Sequence, residues 1–170
     1  MRKLLLLIWC IGVLTLAGCS GAPDSSPEAD PASSPSFEIT SIDAAGMETL
    51  LAANKGKVVF LCFWSVSCPA CKQEIPELET LAAKYSPDQL KLMLVNLDPT
   101  PESIAAFFGE QIPVTEQYHG SNDLAQAYGI YTIPHLVMYD VEGDVFLNKS
   151  GFFPAKMLDA LVEHALRVDG

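Results

Sequence analysis

The segment LCFWSVSCPACKQE, residues 61–74, holds three of the five cysteines of the chain. Cys68 and Cys71 are separated by Pro69 and Ala70. Two thiols at this spacing can clip a metal, close a structural disulfide, or exchange a disulfide with another molecule. A bridge across so small a loop adds little stability compared with a long-range staple. The spacing therefore argues for reactivity. Exchange needs a thiolate. A cysteine at the start of a helix supplies one, because unpaired amide N–H groups and the helix dipole stabilise the anion. A second cysteine one turn further on comes within bonding range of the first.

The neighbouring elements must hold such a pair in place. Residues 57–64, KVVFLCFW, form a continuous apolar run with Cys62 inside it, the pattern of a central strand buried on both faces. The chain then turns at the cysteines and enters a helix. Ile75, Leu78, Leu81, Ala82 and Tyr85 recur every three or four residues. Pro76 falls inside that pattern and predicts a kink. A short strand is expected at 37–39. Met47, Leu50 and Leu51 mark a helix that stops near 54–56. LKLMLVNL, residues 90–97, is a second buried strand. A helix follows at 99–109, opened by Pro101 with Ile104, Phe107 and Phe108 inward, and a shorter one at 122–128 stopped by Gly129. Strands at 135–139 and 144–149 flank the turn dipeptide Glu142-Gly143. An amphipathic helix at 154–168 carries Met157, Leu158, Leu161, Val162, Ala165 and Leu166 on one stripe. This order predicts an α/β fold with a mixed central β-sheet flanked by helices on both faces.

The chain of 170 residues has room for about one domain, and 49% apolar residues suffice for a core. A net charge of -11 argues against a nucleic-acid partner. Arg2 and Lys3 precede an apolar run at 4–16, too short to span a membrane comfortably. The run ends in Leu16-Ala17-Gly18-Cys19, which resembles a bacterial lipobox. An ordinary cleaved signal or an uncleaved anchor are the alternatives. The resemblance implies that residues 1–18 are a removed signal peptide. It also implies that Cys19 is lipidated and anchors the chain to a membrane on the extracytoplasmic side. Ser20 after the cysteine implies the outer membrane if the cell is Gram-negative. Residues 20–36, SGAPDSSPEADPASSPS, lack any large apolar side chain and are expected to be a disordered tether. A flexible chain of that length spans roughly 20–25 Å. Residues 37–170 then form the folded domain.

A buried strand running into C-x-x-C at a helix start is a thioredoxin-like signature. VVFLCFWSVSCPACKQEIPELETL resembles the active-site segment of the TlpA/ResA-like thiol–disulfide oxidoreductases. Further matches are NLD at 96–98, AYGIYTIPHLVMYDVEGDV at 127–145 and GFF from Gly151. The resemblance implies a thioredoxin-like fold and dithiol exchange with protein disulfides, with no cofactor beyond the Cys68–Cys71 disulfide. Cys68 is then the attacking thiol and Cys71 the resolving one. Pro134 is the expected cis proline, with Ile133 presenting backbone to the substrate and His135 and Trp64 alongside. Glu74 is expected near the cysteines, where burial would raise its pKa and let it relay a proton to or from Cys71. Implied partners are apocytochrome c or other protein substrates, and a membrane thiol donor of electrons.

Three departures from the family pattern stand out. Cys62 occupies a position where relatives carry aspartate or asparagine, and is read as a small core residue, with a third redox thiol as the sharper reading. Ser67 replaces the usual tryptophan before the first cysteine, leaving Cys68 more open. His135 follows Pro134 where threonine is commoner, and as a cation near the pair would lower the pKa of Cys68. Cys68, Cys71 and His135 also define an alternative, a Cu(I)-delivery module. A peroxidase reading of Ser65-x-x-Cys68 is weaker, because Leu61 stands where the peroxiredoxin proline belongs and Arg167 lies at the far end of the chain.

Overall fold

The computed structural model describes residues 37–167. Cys19, the signal segment and the tether lie outside the described residues. Six strands form one sheet in the order β1-β4-β3-β2-β5-β6. They are β1 (Ile39–Ile42), β2 (Val58–Trp64), β3 (Leu90–Asn96), β4 (Glu116–Gly120), β5 (His135–Tyr139) and β6 (Val145–Ser150). The pairs β1–β4, β4–β3 and β3–β2 are parallel, while β2–β5 and β5–β6 are antiparallel. The sheet is mixed, as the element order predicts.

Every residue of β2 is buried. Helices cover both faces of the sheet, so an unbroken apolar run is what the strand requires. Val58, Phe60, Cys62 and Trp64 pack into one core with α2 (Pro69–Lys84), α3 (Glu102–Phe108) and α5 (Ala155–Ala165). Val59, Leu61 and Phe63 point the other way, into a core with Met47 of α1 (Ala44–Ala53) and Leu124 of α4 (Asn122–Ala127). Successive side chains alternate between faces, so the register of β2 decides which residues share the α2 side.

The α2 helix runs through Pro76 without a break. Ile75, Leu78 and Leu81 are its buried stripe. Asp140 closes the β5–β6 hairpin, its Oδ1 accepting the backbone N–H of Glu142 at 3.1 Å and of Asp144 at 2.9 Å.

Several elements differ from the sequence-based expectation, among them α3, which begins at Glu102 rather than at 99, with Pro101 as its N-cap. The first strand lies at Ile39–Ile42, slightly later than 37–39, and Phe37 instead packs edge-on against Phe108 with ring centroids 5.4 Å apart. The strand β4 was not expected at all. Its residues, EQYHG, show no apolar run. The segment becomes a strand because it fills the slot between β1 and β3 and satisfies the backbone of both. Gly120 at its end is required by close approach: a Cβ there would lie 2.8 Å from a methyl of Val95.

Candidate active site

Parallel β2 and β3 end side by side, with Trp64 opposite Asn96. The segment after β2, Ser65-Val66-Ser67, carries the chain from the sheet to Cys68. Cys68 is the N-cap of α2 and Pro69 takes the first helical position, where its missing N–H costs nothing. The Cys71 backbone N–H points at the Cys68 sulfur at 3.1 Å. The Cys68 N–H is held by the Ser65 carbonyl at 3.1 Å. The two cysteines are joined as a disulfide with Cα atoms 5.3 Å apart. Cys68 is 8% exposed and Cys71 is fully buried, so only the first sulfur has an edge toward solvent.

Glu74 lies one turn beyond Cys71 and is completely buried. Its Oε1 accepts the Phe153 backbone N–H at 3.0 Å. Its Oε2 has no hydrogen-bond partner among the described residues. Burial pushes its pKa up to about 7, and the Phe153 bond only partly opposes this. A carboxyl group poised near neutrality inside an apolar core can give or take a proton at physiological pH. Cys62 sits in the same core as both cysteines and is a free, fully buried thiol. Burial, then the Glu74 charge, push its pKa well above the ordinary thiol range, so it stays protonated.

The Ile133–Pro134 bond is cis. Gly151 donates to the Pro134 carbonyl at 2.8 Å. Ile133 is partly exposed beside this loop and packs against both cores.

Two expected site residues are placed elsewhere. The Trp64 side chain is fully buried, packed on Phe107 and Phe108 with centroids 5.0 and 6.2 Å away. It supports the site from below and offers no surface to a substrate. His135 pairs across the sheet with Phe63, whose side chain belongs to the α1/α4 core. Its ring lies 6.4 Å from that of Phe63. Alternation therefore puts the imidazole on the face opposite α2. Its Nδ1 is 2.8 Å from Ser150 Oγ and its Nε2 is 2.6 Å from Asn148 Oδ1. Both nitrogens are engaged with β6, and His135 is 7% exposed. It neither flanks the sulfurs nor converges with them on a metal position. No cluster of three or more His, Cys, Asp or Glu suited to a metal occurs among the described residues.

Two groups at the site lie in segments that the sequence reading matched to the family pattern but gave no role. One is the segment Gly151–Phe153, which touches both the cis-proline loop and Glu74 through its backbone. The other is a polar cluster on Asp98, which accepts from Ser65 Oγ at 2.6 Å and the Val66 N–H at 2.8 Å. The signal for it was a polar N-x-D at the end of an apolar strand, Asn96 to Asp98.

The sequence profile of the AhpC/TSA family matches residues 32–147. The chain belongs to the AhpC/TSA family. The thiol-disulfide oxidoreductase ResA of Halalkalibacterium halodurans is 27% identical over 124 residues, 71% of this chain and 69% of its own length. The sporulation thiol-disulfide oxidoreductase A of Bacillus subtilis is 26% identical over 167 residues, covering 96% of this chain and 99% of that protein. The crystal structure of StoA from Bacillus subtilis superposes with a TM-score of 0.55 at 27% identity, over 65% of this chain and 85% of that one. The fold is thioredoxin-like, with the sheet and its helices arranged as in these oxidoreductases.

Proposed function

We propose that this thiol–disulfide oxidoreductase is a membrane-tethered, extracytoplasmic reductase of protein disulfides that works through Cys68 and Cys71. The observation that carries the reading is the sulfur of Cys68 at the N-cap of α2, with the Cys71 N–H directed at it and Cys71 bonded to it from beneath. In the reduced protein the Cys68 thiolate attacks one sulfur of a substrate disulfide. A mixed disulfide forms and the other substrate sulfur leaves as a thiolate. Cys71 gives up its proton and attacks the Cys68 sulfur. The Cys68–Cys71 bond closes and the second substrate thiolate departs. The substrate gains two electrons and the protein loses two. Glu74 is the group in position to take the Cys71 proton, since it lies on the same helix face one turn on and is poised near neutrality. An external dithiol must then reduce the pair, and a membrane thiol carrier is the proposed donor.

The lipobox-like Leu16-Ala17-Gly18-Cys19 supports anchoring through Cys19, and Ser20 supports the outer membrane in a Gram-negative cell. Apocytochrome c disulfides are the proposed substrate class, by analogy with TlpA/ResA-like proteins, with the haem-attachment thiols as product. Ile133 and Pro134 form the proposed docking edge for an extended substrate segment.

The reading is tested by equilibrating the full chain with glutathione and dithiothreitol buffers and titrating Cys68 and Cys71. A potential near about -270 mV fits a reductase, whereas one near about -120 mV would make the protein an oxidant.

A further inference from the structure

Asp98 stands just beyond the end of β3, beside the segment that leads into Cys68. Four donors reach its carboxylate: Ser65 Oγ at 2.6 Å, the Val66 N–H at 2.8 Å, Asn96 Nδ2 at 2.7 Å and Ser103 Oγ at 3.5 Å. Its own N–H is held by Asn96 Oδ1 at 2.9 Å. Asn96 is fully buried and Ser65 nearly so. Burial opposes ionisation of Asp98, but the bonds from Ser65, Val66, Asn96 and Ser103 outweigh it and hold the group below the usual carboxylate range. An ionised carboxylate only accepts, so the Ser65 hydroxyl proton is committed to Asp98. Ser65 Oγ must then accept from Ser67, whose hydroxyl lies 2.9 Å away and whose N–H lies 3.1 Å away. The Ser65 carbonyl in turn fixes the Cys68 N–H. One charged group thereby orders all three residues before the attacking sulfur.

We infer that Asp98 is a positioning residue for Cys68: its carboxylate pins Ser65 and Val66 so that the sulfur is presented at the helix start. Asp98 acts through the loop and touches neither sulfur. Fixing a reacting atom in advance matters because small misplacements lower rates steeply. The inference rests on Cys68 being the attacking thiol.

The test is insulin reduction by the full chain with dithiothreitol as electron source, with thermal unfolding followed in parallel. Asp98→Ala removes every acceptor and slows turnover by about tenfold. Asp98→Asn keeps one oxygen for the Val66 N–H and restores the rate to within about threefold of wild type. Ser65→Ala severs only the hydroxyl link and falls between them, and it carries the test if Asp98→Ala does not fold. Asp140→Ala, which uncaps the hairpin turn away from the cysteines, lowers stability and leaves the rate unchanged. Equal rates for the Ala and Asn variants, or a wild-type rate for Asp98→Ala or Ser65→Ala, overturn the inference. A wild-type protein that fails to reduce insulin, whatever Asp98 does, instead counts against the reductase reading itself.

Discussion

The backbone N–H of Phe153 donates to the carboxylate of Glu74 at 3.0 Å, across 79 residues of chain. Two residues earlier, Gly151 donates to the carbonyl of Pro134. One short segment between β6 and α5 therefore joins the cis-proline loop to the helix that carries both cysteines. It gives Glu74 one hydrogen bond, and the other carboxylate oxygen has no partner among the described residues. That imbalance is why the group resists ionisation: a buried carboxylate needs several donors to remain charged.

Glu74 makes stability depend on pH. Its folded pKa, about 7, is above its unfolded value of 4.5. The native state therefore holds this proton more tightly, and its contribution is complete below about pH 4.5 and lost as pH rises through about 7. Glu74→Gln keeps the shape and an acceptor for Phe153 without the charge. Denaturant melts at pH 5 and pH 8 should show wild type losing roughly 2–3 kcal/mol more than Glu74→Gln over that interval. Parallel pH dependences would contradict the assignment.

The same variant separates proton relay from packing. At pH 7, the step in which Cys71 resolves the mixed disulfide should slow in Glu74→Gln by on the order of tenfold or more. Attack by Cys68 should be little changed. Single-turnover kinetics with a fluorescent mixed disulfide resolve the two steps. An unaltered resolving step removes Glu74 from the mechanism.

Cys62 is expected to be a passive core residue. In the folded, reduced protein it should resist iodoacetamide while Cys68 reacts. Cys62→Ala should retain exchange within about twofold, at a stability cost of about 1–2 kcal/mol for the small cavity. A severe loss of exchange with the fold intact would restore the idea of a third redox thiol.

His135 is expected to serve the sheet. His135→Ala breaks its bonds to Ser150 and Asn148 and should destabilise the protein by about 1–3 kcal/mol. The pH dependence of Cys68 alkylation should not move. A shift in that midpoint would mean that the imidazole reaches the sulfur after all.

Much of this arrangement is legible in the residues. KVVFLCFW reads as a central strand because a run with no polar break suits only a strand covered on both faces. The Cys68–Cys71 spacing and Pro69 together place a helix start. Other parts are not local. EQYHG becomes β4 because β1 and β3 leave a gap for it, and no residue in it announces that. The direction of His135 follows from its register against Phe63, which a short strand does not reveal. The family resemblance implied Trp64 beside the substrate, yet α3 closes over it with Phe107 and Phe108. The burial of Glu74 and the clustering of Ser65 with Asp98 each depend on segments distant in the chain.

Every step above depends on the sulfur at the start of α2 being ionised and attacking first. The pH dependence of Cys68 alkylation in the reduced full chain tests it most directly. The expected midpoint lies at least about one pH unit below the value of about 8.5 for free cysteine, with disulfide reduction abolished in Cys68→Ser. A midpoint at the free-cysteine value, together with undiminished reduction by Cys68→Ser, would contradict it.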